Sequence, residues 1–537
     1  MSPAPRGDER ASGAGREADL RVSAAPGRPR LTIVLLALLP VLVAGAIFVQ
    51  RSGRPLEQGG DAYSDGNAIL AGRNFLELGF VRTHFLPVVV PDPSRPDPAP
   101  GDYYSRYPPG ADLINGTLRK LGIHRIEAWR LVSAAFSLIG LGFWFLALRR
   151  LFGDWVAVAG VAAYALNFSF IWLGDSVHHY GYSDLLRSAA FYLGVRLSGA
   201  GRRGLETAAL ALVLFAQSLL AFDYIPYSHV LLLALGASGW KGERLRRLVF
   251  FAAMPVLGVG LHLAQNAWAL GLGESLADMG DAFLQRALAS GAGEFERPSL
   301  GSLIRHLIWD THQLMGLGLA TIAGFAAFGV AAWSATGADT TRTRAARVVG
   351  VIAIATSVWF IVMHQHAAEH PYSNRQLLPL ASLACALALY GAWTLAARVS
   401  RPLAWTVTLA ASLGIAADFY LGYLNDDNRR VQVSRSFEVA YARRAEMPPG
   451  AVIATNIPAP APPALSALVE RRVKKVRNLP ELEAAFGRGA SVVYLYSPLA
   501  PIDRPLLELL REGRMLGADE RGPLVEVVVP SAEPVLP

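Results

Sequence analysis

Apolar runs of membrane length, about 20 residues, recur along this chain from Leu31 onward, with short polar connections between them. The first runs from Leu31 to Val49. Others follow at 126–148, 154–173, 184–200, 205–223, 226–240, 248–270, 313–334, 347–363, 377–397 and 403–424, about eleven in all by the 20-residue measure. Asp184, Arg187 and Arg196 interrupt the fourth, and 226–240 is short. The pattern predicts an α-helical polytopic membrane protein over 31–424, preceded by a disordered basic tail (1–30).

After residue 424 the pattern changes. Ala451–Asn456, Val473–Arg477, Ser491–Tyr496 and Leu524–Val529 are short β-type runs. Pro463–Arg472, Pro480–Phe486 and Pro505–Arg511 read as helices between them. Alternating strands and helices predict a small C-terminal α/β domain (425–537) with a mainly parallel sheet.

Composition agrees with the membrane reading. Apolar residues make up 53% and charged residues 17%, against about 25% charged in soluble chains. That excludes a disordered or purely soluble protein. The single cysteine, Cys385, excludes a disulfide framework and cysteine-based metal sites. Net charge is +8, and the only lysines are Lys120, Lys241, Lys474 and Lys475.

A nucleic-acid reader gathers basic residues on one face. Here they mark every second connection: Arg149 and Arg150; Arg202 and Arg203; Lys241, Arg244, Arg246 and Arg247; Arg342, Arg344 and Arg347; Arg398 and Arg401. By the positive-inside rule the N-terminus is cytoplasmic and the C-terminal domain extracytoplasmic. The outer segments are then 51–125, 174–183, 272–312, 364–376 and 425–537.

Three motif matches have dull explanations. Gly199, Gly201 and Gly204 form GxGxxG, but no strand precedes them, so they read as a cytoplasmic turn. Asn115, Gly116 and Thr117 form a sequon read as chance. His366, Glu369 and His370 form HxxEH, the pattern of inverted zinc peptidases. Pro371 follows at once and no third ligand stands out, so a polar outer loop is the better reading.

The first outer segment carries more. Asp61, Tyr63 and Asp65 precede a short amphipathic helix over Ala68–Leu78 that contains Arg73 and Asn74 and ends at Gly79. If that helix extends back through Gly66, Asp61 and Asp65 share a face. A proline-rich stretch leads to Tyr103, Tyr104, Arg106 and Tyr107, then Pro108, Pro109 and Gly110, whose prolines stiffen a turn. The second outer segment holds Asp175, His178, His179, Tyr180, Tyr182, Asp184 and Arg187. Ionisable groups at the head of a span face a wet cavity or pair with each other. The fourth holds His370, Tyr372 and Arg375.

The acidic segment after the first span, the Arg-Asn helix and the Tyr-x-x-Pro-Pro-Gly-type motif resemble those of GT-C membrane glycosyltransferases. The nearest branch contains protein O-mannosyltransferases and lipid A aminoarabinose transferases. In motif the resemblance covers 61–110 and faintly 364–379; in architecture it covers 31–424. It implies a GT-C-like fold and transfer of a sugar from a polyprenyl-phosphate donor, in the lipid bilayer of a bacterial inner membrane. The acceptor would be a lipid, glycan or protein, with no nucleic-acid partner.

An acidic residue of the first loop would be the base, Asp65 ranking ahead of Asp61. The family pattern has Asp-Glu before a Tyr and Arg-Asn nine residues after the Asp; here Asp65 lies eight before Arg73 and no Glu follows it. Arg106 and Arg375 would hold the donor phosphate, an arginine fork suiting that anion. Tyr63, Tyr104, Tyr107, His178, His179, His370 and Tyr372 would line the substrate site. A monophosphate leaving group can be handled without metal, so no cofactor is expected to be obligatory, and a divalent metal stays open. A transporter or flippase is the rival reading, weakened by the lack of an internal repeat and by conspicuous ionisable residues lying at the outer ends of spans and not near their middle; Asp418, in the last span, is the exception. A non-catalytic protein of the same fold is the third.

Overall fold

In the computed structural model of the chain, the described residues are 31–53, 62–89, 97–198, 204–228, 244–288, 299–336, 339–369 and 371–434. Beyond these they are 452–457, 471–497, 500–519 and 522–530, with a few single positions between. Asp61, His370, Gly199 and Gly201 of the GxGxxG motif, and most of 226–240 lie outside them.

The helices in order are α1 (Leu31–Ser52), α2 (Ala62–Leu78), α3 (Gly110–Lys120), α4 (Ile126–Phe152), α5 (Asp154–Ala165), α6 (Phe168–Leu173), α7 (Tyr180–Leu197) and α8 (Gly204–Leu220). Then come α9 (Arg244–Leu270), α10 (Leu272–Leu288), α11 (Leu300–Met315), α12 (Leu319–Thr336), α13 (Asp339–Val362), α14 (His364–Glu369), α15 (Leu378–Ala397) and α16 (Arg401–Ser434). Among the described residues six helices are long and apolar enough to cross a bilayer. They are α1, α4, most of α9 and α13, α15 with the turn before it, and Arg401–Leu421 of α16, and the chain is an integral membrane protein. The apolar helices α5, α8 and α12 are shorter.

The run 154–173 is broken where Asn167 leaves the helix and caps α6 through Ser169 N–H. The run 313–334 is broken at Gly316, whose φ is +67°. A side chain there would also press within 3.0 Å of the Asp418 carbonyl oxygen.

The core is a continuous apolar cluster. It takes Phe48 from α1, Trp144 and Leu148 from α4, Tyr164 from α5, Phe191 from α7 and Leu383 and Leu387 from α15. Small residues let α4 and α7 approach. An added side-chain carbon at Gly140 would lie 3.1 Å from the Asp184 carbonyl, and one at Gly181 would lie 2.5 Å from the Ser133 carbonyl. Those glycines bring the polar head of α7 against α4.

The polar segments between the apolar runs are structured. Between 51 and 125, α2 packs on α3, with Phe75 seated on Gly116. The helix predicted from Ala68 does extend back past Asp65. The segment 272–312 contains α10 and much of α11, two amphipathic helices that an apolar-span reading takes for a loop. Leu272, Leu276, Phe283 and Leu284 of α10 are exposed.

The C-terminal part holds β1 (Val452–Thr455), β2 (Arg472–Lys475), β3 (Ser491–Leu495), β4 (Arg514–Asp519) and β5 (Gly522–Val528) in the order β2-β1-β3-β5-β4. The first three are parallel; β5 pairs antiparallel with β3 and with β4. The sheet is therefore half parallel, not mainly so. Strand β4 escapes a hydropathy reading because it carries Arg514, Gly517 and Asp519 among its few apolar residues. Helices α17 (Leu479–Phe486) and α18 (Arg504–Glu512) cover one face through Leu482, Leu506 and Leu510.

Candidate active site

Asp65 sits in the first turn of α2, 1% exposed. Its Oδ1 accepts from Ser176 Oγ at 2.5 Å and from the His178 backbone N–H at 3.1 Å. Both donors come from the turn between α6 and α7. Two hydrogen bonds to one carboxylate oxygen favour its ionised form and fix its direction.

That turn is pinned from several elements. Asn115 of α3 donates to the Val177 carbonyl at 2.9 Å, and Ser137 of α4 to the Gly174 carbonyl at 2.8 Å. Asn115 is fully buried, so the sequon is a packing device. Asn74 donates to the Val88 carbonyl at 2.6 Å, while Arg73 pairs with exposed Glu77 one turn on. Of the Arg-Asn pair, Asn74 thus shapes the loop after α2, while Arg73 braces the surface of its own helix.

The stretch Tyr103–Tyr107 crosses above. His262 and Asn266 of α9 donate to the Ser105 carbonyl at 2.9 and 3.0 Å. Ser105 Oγ and Arg106, whose side chain is half exposed, both meet Asp278 of α10. Tyr104 and Tyr107 stack with ring centres 6.4 Å apart. Tyr107 lies 6.3 Å from His179 and 6.4 Å from His178, and the Arg286 guanidinium stands 5.0 Å over its ring. The ring contacts run on from His179 to Tyr180, from Tyr180 to Tyr372 and from Tyr372 to His366. Tyr63 lies within electrostatic reach of Tyr104.

Arg375 is buried below this layer. It donates to the Ser169 carbonyl and the Asp184 carboxylate, whose other oxygen pairs with Arg187 at 3.0 Å. Arg187 also reaches Tyr164 Oη at 2.5 Å. A second triad has the same form. Arg130 pairs with Asp175 at 2.6 Å, and Arg51 lies 3.8 Å from the other Asp175 oxygen. Each triad sets two arginines against one aspartate.

Burial draws the His178 imidazole down to about 4. Burial, then the neighbouring His178, Arg375 and His366, hold His179 well below its usual range. Both rings are neutral at pH 7, able to donate and accept toward hydroxyls. His178 Nδ1 and both ends of the Asn374 amide meet no hydrogen-bond partner among the described residues. Burial pushes the Asp112 carboxyl up to about 7. Among the described residues no group of three or more His, Cys, Asp or Glu is gathered to hold a metal ion.

The structure therefore links Asp65, Tyr104, Arg106, Tyr107, His178, His179, Tyr372 and Arg375 through one chain of contacts, with Tyr63 at its edge. Sequence reasoning missed Ser176, Asp278, Arg286 and the Arg51–Asp175–Arg130 triad. Arg130 carried a usable signal, an arginine inside an apolar run. Asp278 and Arg286 carried none, because surface helices are full of such residues.

No protein-family model and no curated protein matches this sequence. Solved structures do. ArnT from Cupriavidus metallidurans in the apo state aligns over 94% of this chain and 100% of its own, with a TM-score of 0.57 and 14% identity. The fold is that of ArnT. The same protein bound to undecaprenyl phosphate aligns over 94% and 99%, with a TM-score of 0.59 and 15% identity. The oligosaccharyltransferase AglB from Archaeoglobus fulgidus is a looser match, at 0.47 and 12% over 83% of this chain and 65% of that one. The likeness to ArnT takes in the helical bundle and the C-terminal sheet together, since so little of either chain lies outside it.

Proposed function

We propose that this protein is a membrane glycosyltransferase that takes a sugar from a polyprenyl phosphate and passes it to a hydroxyl of a lipid, glycan or protein at the outer membrane surface. The observation that carries the reading is Asp65, a buried carboxylate aimed by Ser176 and His178 beneath a layer of tyrosines and neutral histidines, on a fold whose ArnT representative has been solved with undecaprenyl phosphate bound.

The chemistry is one displacement at the anomeric carbon. Asp65 takes the proton of the acceptor hydroxyl as that oxygen bonds to carbon 1. The bond from carbon 1 to the phosphate oxygen breaks, and the phosphate leaves with its electrons. A positioned base of this kind contributes about 10²–10⁴-fold. Arg106, half exposed, meets the leaving phosphate directly. Arg375 supports it from below, a fixed cation where negative charge grows. Tyr63, Tyr104, Tyr107, His178, His179 and Tyr372 face the sugar; Asp61 and His370 belong to the same outer segments.

Radiolabelled polyprenyl-phosphate pentose and hexose, offered to the purified protein with lipid extract from its own membrane, test the reading. Transfer by the wild type and its loss in Asp65→Asn support it; no transfer with either donor overturns it. The outward orientation rests on the arginine alternation. A cysteine at Gly450, placed in a Cys385→Ser background, is expected to label from the outside of intact cells; labelling only after permeabilisation reverses it.

A further inference from the structure

The turn between α6 and α7 has no helix or strand to stiffen it, yet it supplies two donors to Asp65. Its rigidity comes from outside. Arg130, buried in α4, sends one arm to the Asp175 carboxylate at 2.6 Å and the other to the Arg51 carbonyl at 2.9 Å. Arg51, at the end of α1, donates back to the Ile171 carbonyl and to the Trp172 carbonyl at 3.4 Å. Arg130 thus ties α1 and α4 to the residue directly before Ser176. Ser176 Oγ in turn accepts from the His178 N–H at 3.2 Å, so the two donors on Asp65 move as a unit.

We infer that Arg130 and Asp175 are positioning residues for Asp65, setting the angle and distance at which Ser176 and His178 hold its carboxylate. The inference rests on the reading of Asp65 as the base. Arg130 works through its fork: two arms at a fixed angle hold two partners on different elements. A lysine keeps the charge and loses one arm. Slackening the turn weakens the two bonds to the carboxylate and lets its proton affinity rise. Tyr182 is among the titratable side chains that feel the Asp65 charge, and the Arg130 substitution leaves it in place.

The test follows the carboxylate itself. Infrared difference spectra of the full-length protein in nanodiscs are titrated with pH, and the Asp65 band is assigned by its loss in Asp65→Asn. Ser176→Ala is expected to move the Asp65 titration up by roughly one pH unit, and Arg130→Lys to move it in the same direction. The double variant should shift by less than the sum of the two singles, because the Ser176 bond can be lost only once. Asp175→Asn gives the same readout if Arg130→Lys does not accumulate. A lowered Tm in Arg130→Lys and Asp175→Asn with the Asp65 titration unmoved means a purely structural role and overturns the inference. Additive shifts in the double variant overturn it too. Where the band shifts as expected but sugar transfer by each variant equals wild type, the positioning stands and the base assignment falls.

Discussion

The outer layer of the bundle and the C-terminal sheet bury polar groups to different ends. In the sheet domain, polar residues satisfy the backbone close by. Asn478 caps α17 and Asp503 caps α18. Asn456 holds the Ser497 and Ala500 carbonyls and takes the Ser497 N–H, using its whole amide on one loop. In the polar layer around Asp65, Asp65, Asp175 and Asp184 each take a partner from a distant segment of the chain, and polar atoms such as His178 Nδ1 have none among the described residues. Closed local hydrogen bonding builds a scaffold. Charges gathered from distant segments, with capacity left over, build a place for a ligand.

The largest expected effect tests that contrast directly. Asp65→Asn should cut sugar transfer by about 10²–10⁴-fold, measured as kcat. Asp503→Ala should leave kcat alone and cost only about 1 kcal/mol of stability as a lost cap. Equal turnover in the two variants would erase the distinction.

Next is stability within the outer layer. Asp184→Asn strips the shared partner from Arg187 and Arg375 and should cost about 3–5 kcal/mol, read by thermal unfolding in detergent. Glu508→Gln, which breaks the exposed Arg504 pair at 2.8 Å, should cost under about 1 kcal/mol. Smaller still is the Arg106 effect. Arg106→Lys keeps charge without the fork, and kcat should fall roughly tenfold, with Arg106→Ala nearer a hundredfold.

The mildest test is pH. Burial raises the folded-state Asp112 carboxyl from 3.8 to about 7, so the folded form keeps its proton longer than the unfolded one. Its contribution is full at acid pH and is lost as pH rises through about 7. Asp112→Asn should therefore raise Tm at pH 8 and leave it nearly unchanged at pH 4. A gain of the same size at both pH values would refute burial as the cause.

Much of this protein was legible from one dimension. Long apolar runs have one outcome, because a backbone in lipid must satisfy its own hydrogen bonds, and so the bundle could be read directly. Asp65, Arg106 and Arg375 stood out through the resemblance of their segments to those of GT-C enzymes, and Asp184 and Arg187 because ionisable groups at the head of a span are costly without a partner or a wet cavity. The sheet's parallel half was readable from alternating strand and helix; the antiparallel β4–β5 pair was not, since pairing direction is set by tertiary packing.

What the sequence by itself determined is the membrane bundle, the small sheet domain and the polar segments where charge gathers. Which charges meet was decided only in three dimensions. Arg375 and Asp184 are 191 positions apart, and Ser176 meets Asp65 across 111. Hydropathy reports whether a residue leaves water, but not its partner. That choice depends on helix crossings, and those are set by small residues such as Gly140 and Gly181 that let one helix sink against another.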